Sequence, residues 1–297
     1  MSAWSAGAAL PQFLCTAGDP AGSAGLAAVW TFDLWITAPL ATAAVLYATG
    51  LLKLWRRAGF GRGIRGWQAG CYAAGWLVLV LALVSPIHHW GAGLFTIHMT
   101  EHELVMAVAA PLLVLARPGG AFAWSLPRRM RPRLLAIARS SWLRRAWATA
   151  TRPGTATILH GAAIWLWHVP LFYEATLDDV ALHRLQHVSF LVTGVLFWWA
   201  LIRARQPGSA AGHLFATMLH TSVLGALMTL APRVVYPLQT EGALTWGLSP
   251  LEDQQLAGLV MWIPAGAIYA AAALLCFALW VRRPGIAWEP GHVVGQT

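Results

Sequence analysis

The sequence has few charged residues. Only 10% of its 297 residues are Asp, Glu, Lys or Arg, whereas about 25% is usual for a soluble domain. Hydrophobic residues make up 58%, and the mean hydropathy is +0.59. Because a soluble domain of this length cannot bury so much apolar surface in one core, we predict an integral membrane protein that is solvated mainly by lipid.

Cysteines are also scarce. The chain has three, Cys15, Cys71 and Cys276, and they form no C-x-x-C motif. This spacing excludes both a disulfide framework and a thiolate metal cage. The first basic residue is Lys53, so no cleaved signal peptide is expected, because such a peptide begins with a positively charged region.

The common catalytic motifs are missing. The segment that starts at His102 reads His-Glu-Leu-Val-Met and so does not match the H-E-x-x-H motif of zinc proteases. There is no glycine-rich phosphate loop and no nucleophile elbow. We therefore expect a protein that is not an enzyme.

Seven long apolar runs are present, each roughly 17 to 28 residues and so long enough to cross a bilayer as a helix. They cover residues 33–52, 67–86, 94–116, 154–170, 181–202, 212–232 and 254–281. The predicted fold is all-α, a bundle of seven transmembrane helices in one domain over residues 33–283.

The placement of basic residues predicts the orientation of these spans. Eighteen of the 20 Lys and Arg residues follow the odd-numbered runs, and only Arg184 and Arg233 lie on the other side. By the positive-inside rule the basic side is cytoplasmic. Residues 1–32 are then an outer tail and residues 284–297 a cytoplasmic tail. This placement also explains the net charge of +9 without a nucleic-acid partner.

The cytoplasmic loop 117–152 holds nine of the arginines. Its leucines and Trp142 alternate with arginines, which predicts an interfacial helix in contact with membrane lipids. A docking surface for a protein partner is the alternative.

Two histidine pairs repeat one spacing: His98 and His102 in the third run, and His183 and His187 in the fifth. Residues four apart lie on the same face of a helix. Both pairs fall near the predicted outer face, where four imidazoles cost several kcal/mol unless they have partners. We predict that the pairs face each other and bind a metal. The thioethers of Met99, Met106 and Met261 near the histidines favour copper.

A second group of residues lies in the same outer layer. His168 ends the fourth run, and Asp253 shares a helix face with Met261 in the seventh; these three are expected to orient or transfer the metal. Glu101 is a candidate for fixing an imidazole tautomer, whereas the role of Glu103 stays open.

The remaining histidines have simpler interpretations. His160 and His220 are expected to form hydrogen bonds between helices. His88 and His89 are expected to be solvated in the turn before the third run, with metal loading as the alternative.

Several segments together resemble one protein family. They are His98–His102 followed by residues 110–118, the stretch 167–177 with His183 and His187, and residues 253–262. Over residues 33–281 the chain resembles the CtaG family of cytochrome c oxidase assembly factors, which are multi-pass proteins of the bacterial inner membrane. Glu101 and Glu103 stand where that family more often has Gln and Met.

The resemblance implies a role in assembling a caa-type oxidase, by delivering copper to its catalytic subunit. Oxidase subunits would be the partners, and a periplasmic copper chaperone the donor. Two other functions remain open from the residues alone. One is a membrane redox protein whose histidine pairs bind b-type haem, and the other is a permease for a metal or small solute.

Overall fold

Helix starts follow the prolines and short polar residues of the sequence. Proline is the first residue of the helices that begin at Pro86, Pro153, Pro170, Pro207 and Pro250. Its fixed φ suits this position, where the missing N–H costs nothing. Four helices, two of them among these, are preceded by side chains that accept hydrogen bonds from the free N–H groups of the first turn; these caps are Asp33, Ser85, Asp179 and Ser249.

The computed structural model describes residues 29–282, and within this range every regular element is helical, as predicted. The predicted tails over residues 1–28 and 284–297, with Cys15, lie outside the described residues. The helices are α1 (Leu34–Ala58), α2 (Gly66–Leu83), α3 (Pro86–Gly91), α4 (Phe95–Ala116), α5 (Gly119–Ser125), α6 (Arg131–Ala138), α7 (Ser141–Ala150), α8 (Pro153–Trp167), α9 (Pro170–Asp178), α10 (Val180–Ile202), α11 (Pro207–Thr229), α12 (Pro237–Thr240) and α13 (Pro250–Val281).

Six of these helices are long and apolar enough to cross a membrane: α1, α2, α4, α10, α11 and α13. This confirms an all-helical, multi-pass membrane protein. The run predicted over residues 154–170 forms α8, which has only 15 residues. At about 1.5 Å per residue, α8 is roughly 22 Å long, shorter than a typical span. Helix length therefore supports six spans, and the seventh stays a prediction.

Helix α4 lies at the centre of the bundle. In the apolar stretch of α4, 61% of the residues are buried, compared with 11% in that of α1. It packs against α2, α10 and α13. Because α4 carries the first histidine pair, the most enclosed part of the fold is also the part that holds these polar side chains.

Helix α8 runs antiparallel to α10 along most of its length. Its last residue, Trp167, donates a hydrogen bond from Nε1 to Ser189 Oγ at 2.8 Å, near the middle of α10. Its first residue, Pro153, lines one cavity with Trp199 and Arg203 at the end of α10. Helix α8 therefore lies beside the second half of α10 and runs in the opposite direction.

The basic loop is more regular than a single interfacial helix. It forms α5, which packs against α1, and then the short helices α6 and α7. Gly50 allows the contact with α1, because a Cβ there would overlap the backbone carbonyl of Ala121. Helices α6 and α7 expose Leu134, Leu135, Ile137, Trp142 and Trp147 beside their arginines. This mixed surface has the composition expected of a segment at a membrane interface.

Candidate metal centre

A buried carboxylate fixes the start of α4. Asp253, on α13, accepts hydrogen bonds from the backbone N–H of Phe95 at 2.8 Å and of Thr96 at 2.9 Å. It also accepts one from Thr96 Oγ1 at 2.7 Å. The side chain thus caps α4 from a helix more than 150 residues away in sequence. Asp253 orients the histidine-bearing helix, since both of its carboxylate oxygens are used as a cap.

His98 and His102 lie on the first turns of α4, one above the other. Their ring centroids are 4.4 Å apart, and the two residues are 2% and 1% exposed. His98 Nε2 and both ring nitrogens of His102 have no hydrogen-bond partner among the described residues. A buried polar atom without a partner costs about 1–3 kcal/mol. Such atoms therefore require an explanation, and binding of an ion is one of the usual ones.

The second pair lies at the start of α10. Asp179 caps this helix, accepting hydrogen bonds from the N–H groups of Ala181 at 2.7 Å and Leu182 at 3.3 Å. The Nε2 atoms of His183 and His187 are 3.0 Å apart. The two nitrogens point to a common position, which suits either a hydrogen bond between the rings or a shared ligand.

The structure brings the two pairs together. The ring centroid of His98 is 5.7 Å from that of His183 and 6.3 Å from that of His187. The His102 and His187 centroids are 5.1 Å apart. All four predicted ligands therefore line one buried cluster between α4 and α10.

His88 also belongs to this cluster, although the sequence favoured a solvated role for it. Its Nδ1 lies 2.8 Å from Glu101 Oε1, and the same oxygen is 3.5 Å from His187 Nε2. Ligand atoms of His88, His183 and His187 all lie within 4.8 Å of one another. Burial alone lowers the pKa of His88, but the charge of Glu101 and its hydrogen bond outweigh burial, so the net pKa is above the ordinary histidine value.

Helix α3 places His88 against α4. Ser85 and Pro86 start this short helix, which turns the chain back after α2. Gly91 ends it in close contact with α4: a Cβ there would lie 3.3 Å from His98 Cα and 3.4 Å from Glu101 Oε2. In the sequence, Ser85-Pro86 and Gly91 are the signals that this turn is ordered and packs against α4.

Of His168, Asp253 and Met261, His168 has the side chain best suited to bind a metal. Its Nδ1 lies 2.7 Å from the carbonyl oxygen of Ile164 and so donates the proton there. This fixes the tautomer in which Nε2 carries a free lone pair, and Nε2 is buried without a partner in the described part of the chain. His168 is also close enough to interact electrostatically with His98 and His102.

Met261 lies in the apolar cluster that supports the histidines. It is 1% exposed and shares this cluster with Phe95, Met99 and Met106. Met106 and Met261 also fall within π-helical turns, at Leu104–Ala109 and Met261–Ala265. Such turns are rare and frequently mark functional sites. Met261 is therefore part of the apolar cluster that packs beside the histidines, and its side chain supports them.

His160 and His220 make their hydrogen bonds outside the histidine cluster. His160 contacts Thr193 Oγ1 at 3.2 Å and Tyr269 OH at 3.4 Å. His220 Nδ1 accepts a hydrogen bond from Trp165 Nε1 at 3.2 Å. Both therefore join neighbouring helices, as predicted.

Comparison with known proteins gives one family. The model of the cytochrome c oxidase caa3 assembly factor family matches residues 45–283. Uncharacterized proteins of Mycobacterium bovis and Mycobacterium tuberculosis are each 31% identical over 273 residues, which is 82% of this chain and 38% of theirs. One from Mycobacterium leprae is 28% identical over 280 residues, 86% of this chain and 40% of its own.

The chain thus spans about two fifths of the length of these curated relatives. No solved structure matches it significantly. The family match covers most of the chain, including α2, α4, α10, α11 and α13 and the whole histidine cluster. The chain belongs to the cytochrome c oxidase caa3 assembly factor family.

Proposed function

We propose that this protein is a non-enzymatic assembly factor that binds copper near the outer membrane face and delivers it to the catalytic subunit of cytochrome c oxidase. Family membership supports the oxidase as its target. The observation that carries the copper role is the meeting of His98, His102, His183 and His187 in one buried layer, with ring nitrogens that have no partner in the described residues.

The chemistry of the cluster fits this cargo. Neutral imidazole is a good ligand for copper, and the apolar support around it limits access of water. Asp253 fixes the depth of the first pair through its cap on α4. His168 adds a further nitrogen beside that pair. The second group would therefore orient and stabilise the ligands or assist transfer.

The same proposal includes seven crossings, with the N-terminus outside and the C-terminus in the cytoplasm. The starts of α4 and α10 lie in one layer, because His98 and His183 are neighbours there. A chain that crosses with α4 must return before α10 can begin in that layer. Helix α8, which runs antiparallel to α10 between the end of α10 and the level of Ser189, is the segment suited to the return. Its shortness is compatible with a locally thinned bilayer.

Thiol labelling tests this topology. In a chain with all three cysteines replaced by serine, we expect Thr245→Cys to react with a membrane-impermeant maleimide in intact spheroplasts. Thr149→Cys should react only after permeabilisation, since it lies in the basic loop. Both threonines are exposed, so they form a matched pair. Labelling of Thr149→Cys from outside would refute the orientation.

Copper binding tests the site. The protein purified after growth with copper is expected to retain the metal, whereas the His98→Ala, His183→Ala double variant should fall to background. One ligand is then lost from each pair, and we expect affinity to drop at least about 100-fold. Affinity should also fall at low pH, because a protonated imidazole cannot bind a metal. Elemental analysis measures both effects.

A double variant of His89→Ala and His213→Ala is the control, because it removes two imidazoles outside the cluster. It should keep the wild-type copper content. Equal copper in the His98→Ala, His183→Ala variant and the wild type would end the proposal. A Soret band in the same preparation would favour the haem alternative, and copper uptake into vesicles would favour a permease.

A further inference from the structure

The cluster contains more ligands than one ion can use. Five histidines and one carboxylate converge: His88, His98, Glu101, His102, His183 and His187. Four protein ligands fill a tetrahedral coordination sphere. A single site made of one histidine pair from each helix would leave His88 and Glu101 unexplained, although both lie in direct contact with it.

One group of ligands is linked by short contacts between side-chain atoms. In this outer group, His183 Nε2 is 3.0 Å from His187 Nε2, and Glu101 Oε1 is 2.8 Å from His88 Nδ1 and 3.5 Å from His187 Nε2. Two atoms bound to one ion at about 2.0–2.1 Å lie at most about 4 Å apart. The ligand atoms of His88, His183 and His187 lie within 4.8 Å of one another, so they need to close by less than about 1 Å to hold one ion. Glu101 Oε1 adjoins two of these three histidines.

The inner group uses different atoms. His98 Nε2 and both nitrogens of His102 make no hydrogen bond within residues 29–282, and neither does His168 Nε2. None of these nitrogens is needed by the outer group. His187 adjoins both groups, because its ring centroid is 4.6 Å from that of His183 and 5.1 Å from that of His102.

Burial increases from one group to the other. The side chain of His88 is 12% exposed and that of His187 is 7% exposed. His98 and His102 are 2% and 1% exposed. An ion arriving from the aqueous side thus meets His88 first, and His187 connects this group with the inner histidines.

We propose that the cluster holds two copper ions. An outer exchange site consists of His88, His183, His187 and Glu101, and an inner retention site is built on His98 and His102 with His168 beside them. His187 is the ligand over which an ion moves between the two. This inference rests on the proposed copper function and assigns His88 and Glu101 a direct role in it.

The test is the number of Cu²⁺ ions bound by the purified, metal-free, full-length protein in detergent, measured by equilibrium dialysis with Cu²⁺ alone. We expect two ions per chain in the wild type. His88→Ala and Glu101→Gln should each bind one, and the His98→Ala, His102→Ala variant should also bind one. The His89→Ala control, which changes the neighbour of His88 on the same helix, should bind two.

Removal by a soluble chelator distinguishes the sites. The wild type should release copper in a fast and a slow phase that differ at least about tenfold in rate. His88→Ala should keep only the slow phase, and the His98→Ala, His102→Ala variant only the fast one. Glu101→Gln preserves the shape of the side chain, so a loss there cannot be attributed to misfolding of a truncated variant.

The outcomes separate the two proposals. One ion per wild-type chain, whether or not His88→Ala abolishes it, overturns the two-site inference and leaves the copper function standing. Two ions that are both retained by His88→Ala and Glu101→Gln overturn it as well, because the outer ligands would then be wrong. No copper bound by the wild type would instead refute the proposed function itself.

Discussion

Asp253→Ala is expected to lower the free energy of unfolding by about 3 kcal/mol or more. The substitution removes three hydrogen bonds to the start of α4 and leaves two backbone N–H groups buried without an acceptor. Hydrogen bonds to a charged group contribute roughly 1.5–3 kcal/mol each, and a buried donor without a partner adds a further cost. Thermal unfolding in detergent measures the loss, which corresponds to a Tm lower by about 6 °C or more.

Asp179→Ala is the matched control, because Asp179 caps α10 with the same chemistry at an exposed position. Water can replace its acceptor, so the expected cost is only about 1 kcal/mol. Asp253→Ala should also weaken copper binding, since His98 lies one turn from the lost cap. Equal Tm values for the two variants would show that the contact between α13 and α4 does not stabilise the bundle.

Gly225→Ala is expected to be the second strongly destabilising substitution. Helices α11 and α13 cross so closely that a Cβ at Gly225 would lie 2.7 Å from the carbonyl oxygen of Gly258 and 2.9 Å from the backbone N of Trp262. Both contacts are with backbone, so the helices must separate. Overpacking of this kind costs about 1–3 kcal/mol, and the close packing that small residues allow between membrane helices would be lost as well.

Gly212→Ala, on the same helix as Gly225, should instead stabilise the protein. A Cβ at Gly212 would meet nothing within 4 Å, and alanine favours a helix over glycine by about 1 kcal/mol. We therefore expect Gly212→Ala to raise the Tm and Gly225→Ala to lower it, when both are measured in the same detergent. A rise for both variants would mean that α11 and α13 tolerate a wider separation.

The histidine pairs were predictable because their geometry is local. Spacing of four residues on a helix fixes His98 above His102 and His183 above His187, whatever surrounds them. Low charge and long apolar runs likewise predicted a helical membrane protein, and six of the seven runs formed membrane-length helices. Even the cap of α10 by Asp179 could be read from the sequence, since the acceptor and the donors are neighbours.

The residues whose surroundings could not be predicted are placed by contacts between segments that are distant in the sequence. His88 seemed to lie in a solvated turn, but it packs in the cluster because α3 folds back through Gly91. Glu101 does lie beside an imidazole, but its partners, His88 and His187, come from other helices and could not be named from the sequence. The length of α8 was also overestimated, since apolar composition continued past the point where the helix ends at Trp167.

By itself the sequence determined the lipid environment, the helices and the two stacked imidazole pairs, because each follows from composition or from periodicity within one segment. Only the tertiary structure decided that the pairs meet, that His88 and Glu101 complete the cluster, and that Asp253 caps the helix beneath it. Those arrangements depend on how closely helices approach at a few small residues. Such approach is a property of facing surfaces, which no single segment encodes.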